Sequence, residues 1–256
     1  MAWHLIRHSF AMIFANLGQA LKVSIIPYGI LMIAAMVIFS ISGLPMAGYD
    51  PSAVSSDSVS AMTVLLLIAL LVFAIFVFGW VAVSWHRFIL KEEYTALIPA
   101  VAGRPIWPYV GRSMWLGFVV FLVAIPVMFV VGLIAAPFAS GSLVIPLIAM
   151  LCGLTIVAYF WMRWAIALPA TAIGKGMSLK EAWSATADVS GTIFGVSLML
   201  MAINIVPAFL LAGVYTAAPI LGFVVDVVLQ WITIMVGLSI LTTLYGHLIE
   251  GRPLVD

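Results

Sequence analysis

The sequence predicts an all-α fold: a polytopic transmembrane helical bundle of about six spans, with an N-terminal amphipathic interfacial helix. Three observations support this prediction. Apolar residues make up 66% of the 256 residues and charged residues only 7%, the apolar residues form long unbroken runs, and every Lys and Arg falls in alternate segments between those runs. A soluble domain has roughly 25% charged residues. Because lipid satisfies no backbone N–H or C=O group, such runs predict helices and not barrel strands.

The first 22 residues are too polar to span a membrane and are predicted to form a surface helix. Their apolar side chains recur at steps of three and four, at Trp3, Ile6, Phe10, Ile13, Leu17 and Leu21. This stripe is typical of a helix lying along the cytoplasmic membrane surface. Packing against the protein's own loops is the alternative, since periodicity does not separate the two.

Six spans are predicted between residues 23 and 246, followed by a cytoplasmic tail of residues 247–256. A hydrocarbon core of roughly 30 Å requires about 20 apolar residues per helix. The first run is longer than the apolar region of a signal peptide, so we expect no secretory signal. Cleavage after Ser40-Ile41-Ser42, which resembles a small-residue cleavage site, is the alternative. The predicted spans are residues 23–43, 62–85, 114–136, 143–162, 192–214 and 221–246. Together they make residues 1–256 a single integral membrane domain.

The positive charges predict the orientation of these spans. When six spans are threaded from an inside N-terminus, all ten Lys and Arg fall on one side, while the first opposite segment carries Asp50 and Asp57. The positive-inside rule assigns the basic side to the cytoplasm. We therefore expect both termini in the cytoplasm.

The cytoplasmic boundary is predicted to contact lipid headgroups. Tryptophan favours the headgroup layer, and Lys and Arg attract anionic lipids. The predicted interface residues are Arg7, Lys22, Arg87, Lys91, Arg104, Arg112, Arg163, Trp85, Trp161 and Trp164. Four histidines on the same side are interpreted as interfacial and not as metal ligands, because no acidic cluster accompanies them: His4, His8, His86 and His247.

Polar residues inside the apolar runs are few, and Asp226 is the most conspicuous. Gln230 lies one helical turn further on the same face. A carboxylate at the bilayer centre would cost about 2.5–3.5 kcal/mol, which makes proton or ion handling one hypothesis; an interfacial or internally bonded carboxylate is the other. Asn204, three residues before Pro207, is predicted to bond across helices or to the carbonyl that the proline frees.

The odd-numbered spans each contain a proline: Pro27, Pro126 and Pro207. The second and fourth spans end at residues 85–87 and 161–163, which both read Trp-x-Arg. These features suggest three related helical hairpins. The alternative is that Trp and Arg accumulate at this boundary without any repeat.

No nucleotide-binding, metalloprotease or hydrolase motif is present. We therefore expect no enzymatic activity, no cofactor and no metal site. Cys152, the only cysteine, lies in an apolar run and is predicted to be a small buried hydrophobic residue. The net charge of +1 gives no reason to expect a nucleic-acid partner.

One segment resembles a known group of bacterial membrane proteins. Residues 163–170 read Arg-Trp-Ala-Ile-Ala-Leu-Pro-Ala, and residues 178–183, which begin with a capping-box pattern, read Ser-Leu-Lys-Glu-Ala-Trp. They resemble a stretch of the YciC-like proteins and of the membrane domain of some glycerophosphodiester phosphodiesterases. The resemblance implies a six-span protein of the bacterial inner (plasma) membrane. The catalytic domain of those phosphodiesterases has no counterpart here, so their activity is not implied.

The leading functional hypothesis is a non-enzymatic membrane protein that works by contact. It would be an accessory or organising subunit of a membrane complex, or a lipid-interacting factor, with the lipid bilayer and other membrane-protein subunits as partners. The alternative is a small transporter or channel in which Asp226 is the coupling acid.

Overall fold

The computed structural model describes residues 1–42, 60–138, 141 and 144–253, and its described elements are helices without any strand. They are α1 (Ala2–Ala15), α2 (Leu17–Ser42), α3 (Ala61–Lys91), α4 (Ile106–Ala135), α5 (Val144–Ala165), α6 (Ala167–Ala172), α7 (Leu179–Ala185), α8 (Ser190–Ala217) and α9 (Pro219–Glu250). A short 3₁₀ turn, Ala136–Phe138, follows α4. The predicted outer segment with Asp50 and Asp57 lies outside the described residues.

The prediction of an all-α polytopic bundle is confirmed. Five of the described helices are long and apolar enough to cross a membrane: α2, α3, α4, α5 continued by α6, and α9. A sixth candidate is the pair formed by α7 and residues Ser190–Ile205 of α8, which are apolar enough only when taken together and meet at a bend of 100°. The helices extend beyond the predicted spans: α3 continues to Lys91, and α4 begins at Ile106. The predicted spans were shorter because they were ended where charged residues begin. The helices continue past these residues because their ends pack on one another.

The N-terminal helix packs on the bundle itself. Its buried residues are Leu5, Ile6, Ser9 and Ile13, and its neighbours are α8 and α9. The contacts therefore support the alternative prediction, in which this face of α1 packs on the protein itself. Its partners are the helices α8 and α9 and not loops. Trp3, part of the predicted stripe, is 61% exposed, because the buried face is rotated toward Leu5 and Ser9.

One large hydrophobic core lies at one end of the bundle, which we call the basic end because Arg87, Arg104, Lys175 and Arg252 bind neighbouring segments there. Residues 80–86 of α3 and 241–246 of α9 are buried without interruption. Several consecutive buried residues mean that every face of a helix is covered. These parts of α3 and α9 are therefore the centre of the basic end.

The core stops at a similar height in all six long helices. Its outermost residues are Tyr28, Ile75, Val120, Val157, Ile203 and Trp231. Beyond them each helix continues for roughly 20 Å at 1.5 Å per residue, and we call these segments the outer half. They are residues 29–42, 61–74, 121–135, 144–156, 204–217 and 219–230. Among the described side chains, none of the outer half belongs to the shared core.

Three pairs of long helices that are consecutive in the chain are in contact, α2 with α3, α4 with α5, and α8 with α9, and α5 also packs against α8. A Cβ added at Gly153 of α5 would lie 2.8 Å from Val131 of α4, and one at Gly222 of α9 would lie 3.0 Å from Tyr215 of α8. Glycine therefore permits close packing within these two hairpins. The spatial arrangement agrees with the three predicted hairpins, while a repeat in the sequence itself stays a hypothesis.

Candidate functional site

Arginine side chains at the basic end bind the protein itself. Arg87 donates to Glu93 Oε1 at 2.6 Å and to the Ala172 carbonyl at 3.1 Å. Arg104 donates to the second Glu93 oxygen. The hydrogen bond from Arg87 is the main reason that the pKa of Glu93 lies below its ordinary value. This network joins the end of α3 to α6 and to the segment that precedes α4.

Two further arginines satisfy backbone carbonyls. Arg252 donates to the carbonyls of Ile89 at 3.2 Å and Leu90 at 2.7 Å, which are among the last in α3 and have no partner within that helix. Arg112 donates to the carbonyl of Met177. The cations thus fasten helix ends and loops together.

Arg163, the first residue of the segment that carries the resemblance, is enclosed by the protein. It donates to Thr186 Oγ1 at 2.9 Å, the Trp183 carbonyl at 2.5 Å and Tyr159 Oη at 3.1 Å. Its guanidinium lies 3.5 Å from the centroid of the Trp183 ring, and the predicted capping box of Ser178 is present at the start of α7. The arginine and the tryptophan of the resembling segment therefore form one contact.

The predicted headgroup residues differ in how far the protein covers or binds them. Arg7, Lys22 and Lys91 are exposed, and Trp161 and Trp164 are half-buried. Protein groups bind the side chains of Arg87, Arg104, Arg112 and Arg163. The prediction is wrong for Arg163, which is buried, and for Trp85, which is fully buried. Arg and Trp are common both at membrane interfaces and in packed helix ends, so composition alone misplaced them.

His86 was predicted to be interfacial and is instead fully buried. Its Nδ1 lies 2.7 Å from Thr242 Oγ1, and its Nε2 lies 3.3 Å from Tyr109 Oη. Because the Thr242 hydroxyl donates to the Leu238 carbonyl, Nδ1–H must donate to Thr242, which leaves Nε2 to accept from Tyr109. Next to His86, Trp85 Nε1 donates to Ser239 Oγ at 3.0 Å. These bonds hold α3, α4 and α9 together.

The predicted polar residues of the last two spans meet at one small cavity. Asn204, Asp226 and Gln230 line a cavity of about 240 Å³ together with Pro207. Tyr215, which the sequence reading missed, donates to Asp226 Oδ2 at 3.2 Å. Counted from Pro219, Asp226 lies roughly 10 Å into α9. The Asp226 carboxylate is therefore hydrogen-bonded within the protein, which agrees with the hypothesis of an interfacial or internally bonded carboxylate.

Asn204 does not make either of its predicted bonds. Its side-chain amide donates to the Leu200 carbonyl, four residues earlier in the same helix, at 2.8 Å. It therefore neither bridges helices in the described structure nor reaches the carbonyl that Pro207 frees, which belongs to Ile203. A short polar side chain in a helix often finds a backbone acceptor one turn back, and here that local bond prevails.

A larger apolar cavity of about 600 Å³ lies between the hairpins, where the core ends. Five of the long helices line it, and its side chains include Ile75, Tyr109, Ala158, Leu200 and Gly237. Tyr109, Ser113, Trp161 and Thr233 are the lining residues whose side chains carry polar groups. The lining residues Phe78 and Met114 are 43% and 58% exposed, so the cavity reaches the outer surface of the bundle. We call it the central cavity.

Sequence reasoning did not find the central cavity. Gly237 is its most informative residue, because a Cβ added there would meet no atom within 4 Å. Small residues in a membrane helix usually indicate close helix packing, as they do at Gly79, where a Cβ would lie 2.6 Å from Val110. The same residue type thus marks a tight contact at one position and an open space at the other.

Cys152 was predicted to be buried and is exposed on the surface of α5. An apolar setting in a membrane helix does not distinguish protein from lipid as the covering medium, which explains the error. Among the described residues, no group of three His, Cys, Asp or Glu side chains is arranged to hold a metal ion.

Comparisons of the chain with family models, with curated proteins and with solved structures find no match in any of the three.

Proposed function

We propose that this protein is a non-enzymatic, lipid-interacting protein of the bacterial inner membrane that serves as an accessory or organising subunit of a membrane complex. The central cavity is the observation that carries the proposal. In this interpretation an acyl chain occupies the cavity between the hairpins. Both termini are placed in the cytoplasm, on the side to which the positive-inside rule assigns the ten cations.

The size and lining of the central cavity support an apolar ligand. Its volume of about 600 Å³ falls in the range of roughly 300–1,000 Å³ typical of small-molecule sites. Its lining is almost wholly apolar, so a polar solute would lose hydration without gaining partners. A hydrocarbon chain has no hydrogen bonds to lose on entering the cavity. It can reach the cavity sideways from the membrane past Phe78 and Met114.

Filling the cavity tests this proposal. Gly237→Phe places a large side chain in open space, and we expect the purified protein to retain markedly less tightly bound lipid than the wild type. Gly29→Phe is the matched control, because a Cβ at Gly29 also meets no atom within 4 Å and Gly29 does not line the central cavity. Native mass spectrometry after gentle detergent extraction measures the lipid. Equal retention by the folded wild type and Gly237→Phe would refute the proposal.

The accessory role is tested by what accompanies the protein. Mild purification from the native membrane should yield a reproducible set of other membrane proteins. A protein that is isolated alone and takes up a solute in vesicles would contradict this role and favour a transporter.

The polar cavity near Asp226 favours a second candidate, a small transporter or channel. Asp226 accepts from Tyr215 and lines one cavity with Gln230 and with Pro207, a proline inside α8. A proline frees a backbone carbonyl of its helix, and freed backbone groups coordinate ions in transporter sites. Asp226→Asn removes the charge and keeps the shape. If Asp226 is the coupling acid, this variant should abolish the cellular function of the protein; Gln230→Glu, one turn away, provides a comparison of equal size. An unchanged phenotype for Asp226→Asn would refute the transport candidate.

Membership of the YciC-like group also stays a proposal. The contact between Arg163 and Trp183 supports it, since both residues belong to the resembling segment.

A further inference from the structure

A surface cavity of about 830 Å³ lies at the basic end, between the start of α4 and the loop that joins α6 to α7. Arg112, Lys175 and Ser178 line it, and no carboxylate occurs among its lining residues. Glu181, which is close enough to be affected by the charge of Arg112, accepts from the Ser178 N–H and does not line the cavity. The lining therefore has a net positive charge.

The donors of this cavity exceed the acceptors that the protein offers them. A guanidinium has five N–H donors, and Arg112 uses its Nη2 for the Met177 carbonyl while its Nε is buried without a partner. In the described structure, the backbone N–H groups of Gly176 and Met177 also have no hydrogen-bond acceptor. Gly174 has a φ of +82°, which starts a turn of the kind that exposes successive N–H groups to an anion.

The cavity is also placed where a membrane surface would lie. Trp115 lines it and is 53% exposed, and Trp107, beside the lining residue Pro108, is 64% exposed. Exposed tryptophans next to cations are typical of the headgroup layer. Lys175 has 61% of its side chain exposed and pairs only at 3.5 Å with Glu250, so it is available to a ligand.

We propose that this cavity binds the phosphate of an anionic phosphoester, with the guanidinium of Arg112 and the ammonium of Lys175 as its charged contacts. A phospholipid headgroup and a free phosphoester share this chemistry. The inference rests on the proposed lipid interaction and extends it by naming the headgroup charge that the protein selects.

Headgroup preference, as distinct from total lipid binding, tests the site. The wild-type protein in detergent is given phosphatidylglycerol and phosphatidylcholine with identical acyl chains, and native mass spectrometry compares the two adducts. We expect the anionic lipid to be preferred, and each of Arg112→Gln and Lys175→Glu to reduce that preference by about fivefold or more. Lys180→Glu is the control, because Lys180 is exposed in the adjacent helix but does not line the cavity.

Lys175→Glu keeps the test decisive if Arg112→Gln does not fold, since Lys175 is a surface residue. Excess glycerol phosphate identifies the source of the ligand: displacement of the preferred adduct favours a free phosphoester, and persistence favours a lipid headgroup. A folded Lys175→Glu protein that keeps the full preference overturns the site. The site is also overturned if the wild-type protein retains lipid but shows no headgroup preference, and the proposed lipid function is then unaffected. Gly237→Phe tests that lipid function alone.

Discussion

In α3, residues 80–86 are buried without interruption, whereas Leu65 and Leu71 of the same helix are 61% and 59% exposed. The other long helices show the same division between the basic end and the outer half. At the basic end, side chains from distant parts of the chain meet in one core and arginines bind carbonyls of other segments. In the outer half, the described side chains lie outside that core, close contacts at Gly153 and Gly222 join two of the helix pairs, and large apolar side chains cover the outside.

The difference between the two regions shows which surroundings cover the helices, protein atoms at the basic end and lipid in the outer half. At the basic end, protein atoms cover the helices, so packing defects there have few ways to relax. In the outer half, lipid covers most side chains and can replace a lost methyl group. Because the hairpins share no core there, space between them is available to a ligand, and the central cavity lies where the two regimes meet.

Truncating one apolar side chain in each region should give the largest difference. Ile240 is fully buried and Leu65 is 61% exposed. We expect Ile240→Ala to destabilise the protein by about 2–5 kcal/mol, because it leaves a cavity in a packed core, and Leu65→Ala by less than about 0.5 kcal/mol. Reversible unfolding in mixed detergent micelles measures both. Similar losses for the two variants would show that the outer half carries a core of its own.

Adding one methyl group to each of two glycines sharpens the comparison. Gly79→Ala should cost about 1–3 kcal/mol, since the new Cβ would lie 2.6 Å from Val110. Gly237→Ala should be neutral or stabilising by up to about 1 kcal/mol, because the space is open and alanine favours a helix. The same unfolding measurement applies, and Val110→Ala should partly rescue Gly79→Ala. A Gly79→Ala protein of wild-type stability would contradict the close α3–α4 contact.

Lowering the pH should produce the smallest effect, confined to the basic end. The pKa of Glu93 is held below its ordinary value of 4.5 chiefly by the hydrogen bond from Arg87. A lowered pKa in the folded state means that the stabilisation is complete above pH 4.5 and is lost as the pH falls through the folded-state value. We expect a loss of at most about 1 kcal/mol, since the pair is partly solvated.

The control for the pH experiment is Glu93→Gln, whose stability should change less than that of the wild type between pH 7 and the acid limit of folding. Glu92→Gln, at an exposed neighbouring position, should behave like the wild type. If Glu93→Gln and the wild type respond alike to acid, the ion pair contributes no measurable stability.

Composition predicted the fold class because that class follows from the bilayer, while the orientation that the charges predict stays a prediction. A span must be apolar for roughly 30 Å, and this requirement is visible in the sequence at every span. The convergence of Asp226 and Gln230 was also predictable, since helical periodicity places them on one face. Tyr215 was missed because its contact with Asp226 crosses a turn whose geometry no periodicity encodes.

The interior of the basic end was not predictable from the same signals. Trp85, His86 and Arg163 are residue types that favour a membrane surface, and their burial depends on Ser239, Thr242 and Thr186, each distant in the sequence. Only the folded arrangement brings these acceptors to them. The central cavity was invisible for a related reason, because a space is defined by several helices at once.

The contact of Arg252 with the end of α3 bears on biosynthesis. Arg252 follows α9, whereas Ile89 and Leu90 lie near the end of α3, beyond the second predicted span of residues 62–85. During translation the carbonyls of Ile89 and Leu90 therefore have no guanidinium partner until α8 and α9 have been synthesised. The basic end consequently reaches its finished state only after membrane insertion of these two helices, and a nascent chain arrested before α9 would expose this unfinished surface to chaperones and proteases.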